Sequence, residues 1–140
     1  VQYRSTATSN KPGRDPIYAT DGSNITWWEP LEEDKFPCIE CNLNVPYYVG
    51  AVRLFWHESG LCYREGNVPG PVHYILEGCR DGEWIKLFEN AGETEEYNID
   101  YRSFEPVSCE KVRLTITGKP NGINPGVIDF TVFGVRDMIR

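Results

Sequence analysis

No apolar run in the 140-residue sequence approaches the ~18–20 residues that a membrane-spanning helix needs. The sequence also lacks the motifs of nucleophilic and metal-assisted catalysis. It has two histidines, His57 and His73, and nothing in the sequence pairs either with a nucleophile. His57-Glu58 is followed by no second histidine at zincin spacing, and no GxSxG or phosphate loop occurs. Carboxylates for glycosidic cleavage are plentiful, but a catalytic cleft needs more covering structure than a chain of this size supplies. Positive charge is scarce too. Fourteen Lys and Arg against twenty-one Asp and Glu leave a net charge of −7, which disfavours phosphate backbones and anionic headgroups. Nucleic acid, a membrane surface and catalysis are therefore not expected.

The five cysteines, Cys38, Cys41, Cys62, Cys79 and Cys109, are odd in number, which argues against a disulfide framework. Cys38-Ile-Glu-Cys41 has CxxC spacing, but no second pair completes a zinc site. These thiols are expected to be small apolar fillers on strands.

What the chain does have is turns and alternation. Gly (13) and Pro (10) are frequent, aromatics make up 13%, and apolar residues recur with period two. Val52, Leu54 and Trp56 share one face against Arg53 and Phe55. Val112, Leu114 and Ile116, then Ile128, Phe130 and Val132, repeat the pattern. Further strands are expected over 39–43, 72–79 and 84–88, the last two joined by a hairpin at Arg80-Asp81-Gly82-Glu83. The fold expected is an all-β sandwich of two antiparallel sheets, one domain over residues 1–140. Two long loops, 58–71 and 118–126, are rich in Gly, Pro and Asn and are natural places for binding residues. Val1 opens no signal-peptide pattern, and the domain is expected to be excised from a longer protein.

Asp21-Gly22-Ser23-Asn24-Ile25-Thr26-Trp27-Trp28, preceded by Tyr18-Ala19-Thr20, has the form DGxxxTxW. Such a tight loop can converge a carboxylate, a hydroxyl and turned-in carbonyls on a hard cation such as Ca²⁺, or it can be an Asx turn ahead of a core tryptophan. Further segments follow in order: FPCIECNL, YYVGAVRLFW, YILEGCRDGEWIKL, CEKVRLTI and GVIDFTVFG. Together they resemble the discoidin family, the coagulation factor V/VIII type C domains, which includes family 32 carbohydrate-binding modules. More narrowly, LFWHESGLCYREGNVPGP, NIDYRSFEPV and GINPGVIDFTVFG are similar to modules attached to bacterial family 43 glycoside hydrolases.

The resemblance implies a discoidin-like jelly roll and a structural calcium ion. Its shell would be the carbonyls of Tyr18, Ser23, Thr26 and Ile128 with the side chains of Asp21, Thr26 and Asp129. Asp129 stands where the family has Glu, so a side chain one methylene shorter must reach the ion. Cys41, Cys79 and Cys109 stand where the family has an aliphatic, Ser and Ala, in keeping with packing roles. The function implied is that of a non-catalytic carbohydrate-binding module, acting as a monomer, that holds an attached glycoside hydrolase on plant cell-wall polysaccharide. Xylan or arabinoxylan follows from the narrower resemblance and galactose-containing glycans from the broader one. A protein- or lipid-binding adhesion domain is the alternative. An extracellular or cell-surface location goes with this reading, while the unpaired cysteines leave the cytoplasm open.

Sugar sites combine an aromatic platform with polar groups that grip hydroxyls. Trp27, Tyr63 and Tyr101 are the expected rings, and His57, Glu58, Arg64, Arg102 and Asn124 the expected polar contacts. Trp28 and Trp56 are assigned to the core, His73 to packing and Arg113 to structure. Arg102 is placed in a short loop before a strand. The dispersed rings favour chain-end binding, with Pro69-Gly70-Pro71 stiffening one wall.

Overall fold

A computed structural model describes residues 4–67, 72–91 and 99–138; Pro69-Gly70-Pro71 lies outside them. In chain order the elements are β1 (Arg4–Ala7), a 3-10 turn at Pro16–Ala19, β2 (Cys38–Ser59), a second 3-10 turn at Tyr63–Glu65, β3 (His73–Arg80), β4 (Glu83–Asn90), β5 (Ile99–Gly118) and β6 (Asn124–Arg136). All strand pairings are antiparallel. The hairpin expected at residues 80–83 joins β3 to β4, with Asp81 and Gly82 at φ 53° and 82°.

The sandwich forms by folding one six-stranded sheet over on itself. Two strands are long enough to serve both layers. Residues 38–42 of β2 pair with 111–115 of β5, and residues 47–55 pair with 99–109. Between these stretches the register shifts, and Asn44 takes the left-handed region at φ 72° while its N–H donates to Asn42 Oδ1. The first half of β2 carries β1 on its free side and the second half carries β6. A second register shift at Val49/Ala51 resets the alternation, so Ile39, Cys41 and Leu43 are buried before it and Val52, Leu54 and Trp56 after it.

Contacts across the interior fix the layers. Tyr74 of β3 meets Trp56 of β2 with centroids 5.6 Å apart, and its hydroxyl donates to Asp100 of β5 at 2.6 Å. Trp28, Phe130 and the leucines and valines of both layers complete the core. Each fully buried side chain of this kind contributes about 1.5–3 kcal/mol. All five cysteines are free, and Cys41, Cys79 and Cys109 are buried. Burial pushes the Cys41 thiol up and the Cys109 thiol up to about 11, which leaves them inert as packing groups.

This folding gathers the functional loops at one end. β2 finishes at Ser59, opposite the first residue of β6, Asn124. β5 starts opposite Phe55 and ends opposite His73, the first residue of β3. The connections after β2 and after β5 therefore emerge together.

Candidate ligand site at the loop end

Glu29 organises this end. Its Oε1 accepts from Trp27 Nε1 at 3.1 Å and from Ser59 Oγ at 2.8 Å, while Oε2 accepts from Asn124 Nδ2 at 3.0 Å and pairs with Lys11 Nζ at 2.7 Å. The residue is 3% exposed. Burial pushes its pKa up, but hydrogen bonds from Lys11, Asn124, Trp27 and Ser59 outweigh that and hold it at about 2. One carboxylate thus ties the N-terminal segment to the end of β2 and the start of β6. Its position is set by the bridge between Trp28 and Val127, which exchange both backbone hydrogen bonds at 2.8 and 2.9 Å.

Trp27 lies flat on His57, with centroids 3.8 Å apart and planes 11° from parallel, and the Arg14 guanidinium sits 3.4 Å from the same ring's centroid. Two groups that close must occupy opposite faces. Trp27 therefore has neither face left for a sugar ring, which corrects its expected role as a platform: the stack braces the site instead. Burial pulls the His57 imidazole below its usual pKa, Glu29 opposing and Arg14 adding to the effect. His57 Nδ1 lies 3.3 Å from Ser59 Oγ.

Beside this cluster is a cavity of about 400 Å³ whose lining includes Glu32, Ser59, Lys119, Asn121 and Asn124. Asn124 is buried, and its amide donates to Glu29 and to the Pro30 carbonyl at 2.9 Å. Both amide protons are spent inside the protein, so Oδ1 is the group turned toward Lys119, at 3.3 Å. Tyr63 is 73% exposed on the second 3-10 turn, next to exposed Arg64. The loop carrying them packs on the cavity wall, since a Cβ on Gly122 would lie 2.3 Å from Asn67 Oδ1. Glu58 is partly buried in β2 opposite Pro125.

Tyr101 and Arg102 are elsewhere. Both lie within β5 rather than in a loop, because that strand continues along β2 with Tyr101 opposite Arg53 and Arg102 opposite Val52. Arg102 turns inward, where its Nε pairs with Asp100 at 2.6 Å and its guanidinium lies 5.1 Å from the Phe88 centroid. It links the layers, which corrects its expected placement among sugar contacts. Tyr101 is on the outer face against Phe133, 5.8 Å between centroids. Trp28 and Trp56 are buried, His73 packs against Gly118, and Arg113 pairs with Glu77 at 2.8 Å, all as expected.

The residues expected around calcium divide into two groups. Asp21 Oδ1 accepts from the Ser23 N–H at 3.0 Å and Oδ2 from Thr26 Oγ1 at 2.6 Å, so a carboxylate and a hydroxyl already converge in the loop. The turn holding Tyr18 packs against β6, which carries Ile128. Asp129, however, binds Arg53 Nε at 2.7 Å and accepts from Thr131 Oγ1 at 2.6 Å. Among the described residues no three His, Cys, Asp or Glu cluster to hold a metal. The loop half of the shell suits a hard cation, whereas the Asp129 carboxylate is engaged by a side chain.

Glu29, Lys119, Glu32 and Ser59 were not singled out in the sequence. The available signal for Glu29 was an acidic residue between a core tryptophan and Pro30, a place where a charge needs partners.

Residues 4–128 match the F5/8 type C domain, and the chain belongs to that family. Among curated proteins none matches it. Solved structures share the fold. Chitosan-binding module 1 of a chitosanase/glucanase from Paenibacillus sp. IK-5 is 22% identical over 96% of both chains, with a TM-score of 0.78. The family 32 module of Clostridium perfringens NanJ, in complex with galactose, is 20% identical over 93% of this chain and 92% of that one, with a TM-score of 0.76. The Clostridium perfringens module CpGH89CBM32-5, in complex with GalNAc-β-1,3-galactose, is 20% identical over 94% and 95%, with a TM-score of 0.75.

Proposed function

We propose that this domain is a non-catalytic carbohydrate-binding module that takes a glycan in the loop-end cavity and holds an attached glycoside hydrolase on its polysaccharide outside the cell. The observation that carries this reading is the cavity itself, about 400 Å³ and rimmed by Ser59, Asn121, Asn124, Glu32 and Lys119 at the end of an F5/8 type C sandwich. Its size suits one or two sugar rings, its polar groups suit hydroxyls, and Tyr63 stands exposed on the loop that packs against its wall. Related folds in complex with galactose and GalNAc-β-1,3-galactose support the class of ligand. Xylan or arabinoxylan chain ends and galactosides are the glycans proposed. Affinity is expected near ~0.1–1 mM, since a few hydrogen bonds and one ring contact must offset ordering costs.

Calcium belongs to the proposal as a structural ion. The side chains of Asp21 and Thr26, with the carbonyls of Tyr18, Ser23, Thr26 and Ile128, would hold it and so tie the N-terminal loop to β6; Asp129 joins only if Arg53 releases it. Affinity gels containing xylan, arabinoxylan or galactan test the function. Retardation by at least one polymer, weakened by Ser59→Ala and Tyr63→Ala, is expected. Unretarded migration in all of them, together with pelleting on liposomes, would favour the adhesion alternative.

A further inference from the structure

We propose that the glycan recognised here bears a carboxylate, as an isolated uronic acid on an otherwise neutral chain, and that Lys119 is the group that reads it. This rests on the cavity being a glycan site. Charges around the cavity are unevenly matched. Lys11 bridges Glu29 and Glu32, at 2.7 and 3.1 Å, so both carboxylates are met from within the protein. Lys119 is not: among the described residues its ammonium bonds only to the neutral Asn124 Oδ1. An ammonium carries three protons, and two remain for a ligand.

The lysine is also presented by a braced turn. Ile123 is buried and its N–H donates to the Pro120 carbonyl at 3.1 Å, closing the Pro120–Ile123 turn that directly follows Lys119. Gly122 has φ +74°, and a Cβ on Gly60 would lie 2.4 Å from its carbonyl oxygen, so the two loops touch backbone to backbone. Asn124 is fixed by Glu29 and Pro30, which holds its Oδ1 toward the ammonium. Little order is left to impose when a ligand arrives. A uronic acid matches the resulting pattern. Its carboxylate suits Lys119, while its neighbouring hydroxyls can donate to Glu32 and Ser59 on the same cavity. The net charge of −7 repels a polyanion at long range, which favours a single uronate on a neutral backbone over a polyuronate.

The test uses a xylo-oligosaccharide with one glucuronic acid branch and its carboxyl-reduced, neutral counterpart, titrated calorimetrically into the parent and Lys119→Gln. The parent should prefer the acid by about three- to tenfold, the range of an accessible charge-assisted contact. Lys119→Gln should bind both alike, with an unchanged melting curve, and Lys119→Arg should restore the preference. Equal binding of the two sugars by the parent, or a preference that survives in Lys119→Gln, overturns the assignment and leaves the glycan reading standing. Failure to bind these sugars or any neutral xylo-, arabinoxylo- or galacto-oligosaccharide overturns the glycan reading as well.

Discussion

Glu29 is enclosed by Lys11, Trp27, Ser59 and Asn124 at the loop end, whereas Asp129, on the outer face of β6, holds Arg53 and Thr131. Both are carboxylates next to β6, yet they do different work. Each partner of Glu29 belongs to a different segment, so its charge decides how the loop end is assembled. Asp129 joins neighbours on adjacent strands that the ladder already aligns. A buried charge with many donors is costly to disturb, while an accessible pair contributes little.

The comparison breaks most easily at Glu29. Glu29→Ala leaves Lys11 without its buried partner and Asn124 without its anchor, and should lower unfolding free energy by about 3–5 kcal/mol in denaturant titrations. Asp129→Ala should cost under about 1 kcal/mol. Equal losses would show that the two sites do not differ as described. Acid sharpens the contrast. Glu29 has a pKa held near 2 against an ordinary 4.5. Its contribution is therefore full above pH ~4.5 and lost as pH falls through that window, by up to about 3 kcal/mol. Glu29→Gln should flatten this part of the stability profile.

Next in size is Arg102→Ala. It strips the guanidinium from buried Asp100 and should cost about 2 kcal/mol, with no change in glycan affinity. Loss of affinity at unchanged stability would return Arg102 to the binding site. The smallest effect concerns calcium. The parent should melt about 2–5 °C higher in millimolar calcium than in chelator, and Asp21→Ala should show no such difference. A parent indifferent to calcium even after stripping under denaturing conditions would remove the ion from the account.

Much of the fold was legible because a period of two survives in any half-buried strand. Val52, Leu54 and Trp56, and Val112, Leu114 and Ile116, sit as their alternation required. Strand length was not legible. β2 and β5 run through corners and register shifts that local pattern reads as strand ends, and so Tyr101 and Arg102 were placed in a loop. The structure brings His57, read at a strand end, and Asn124, read in the 118–126 loop, to the same end of the sandwich. Trp27 was recognised as important but not as occupied, because nothing local shows that Arg14 and His57 cover its faces. Glu29 escaped because its partners lie 18 residues before it and 30 and 95 after it, as the folded chain brings Lys11, Ser59 and Asn124 together.

The central claim is that the loop end, rather than the outer sheet face with Tyr101 and Phe133, receives the glycan. Amide chemical-shift mapping with the best-retained oligosaccharide from the affinity gels tests it most directly. Shifts concentrated at Ser59, Gly60 and residues 119–124, with Tyr101 and Phe133 unmoved, are the result predicted. Shifts centred on Tyr101, Phe133 and Arg53, with Ser59 and Lys119 silent, would contradict it.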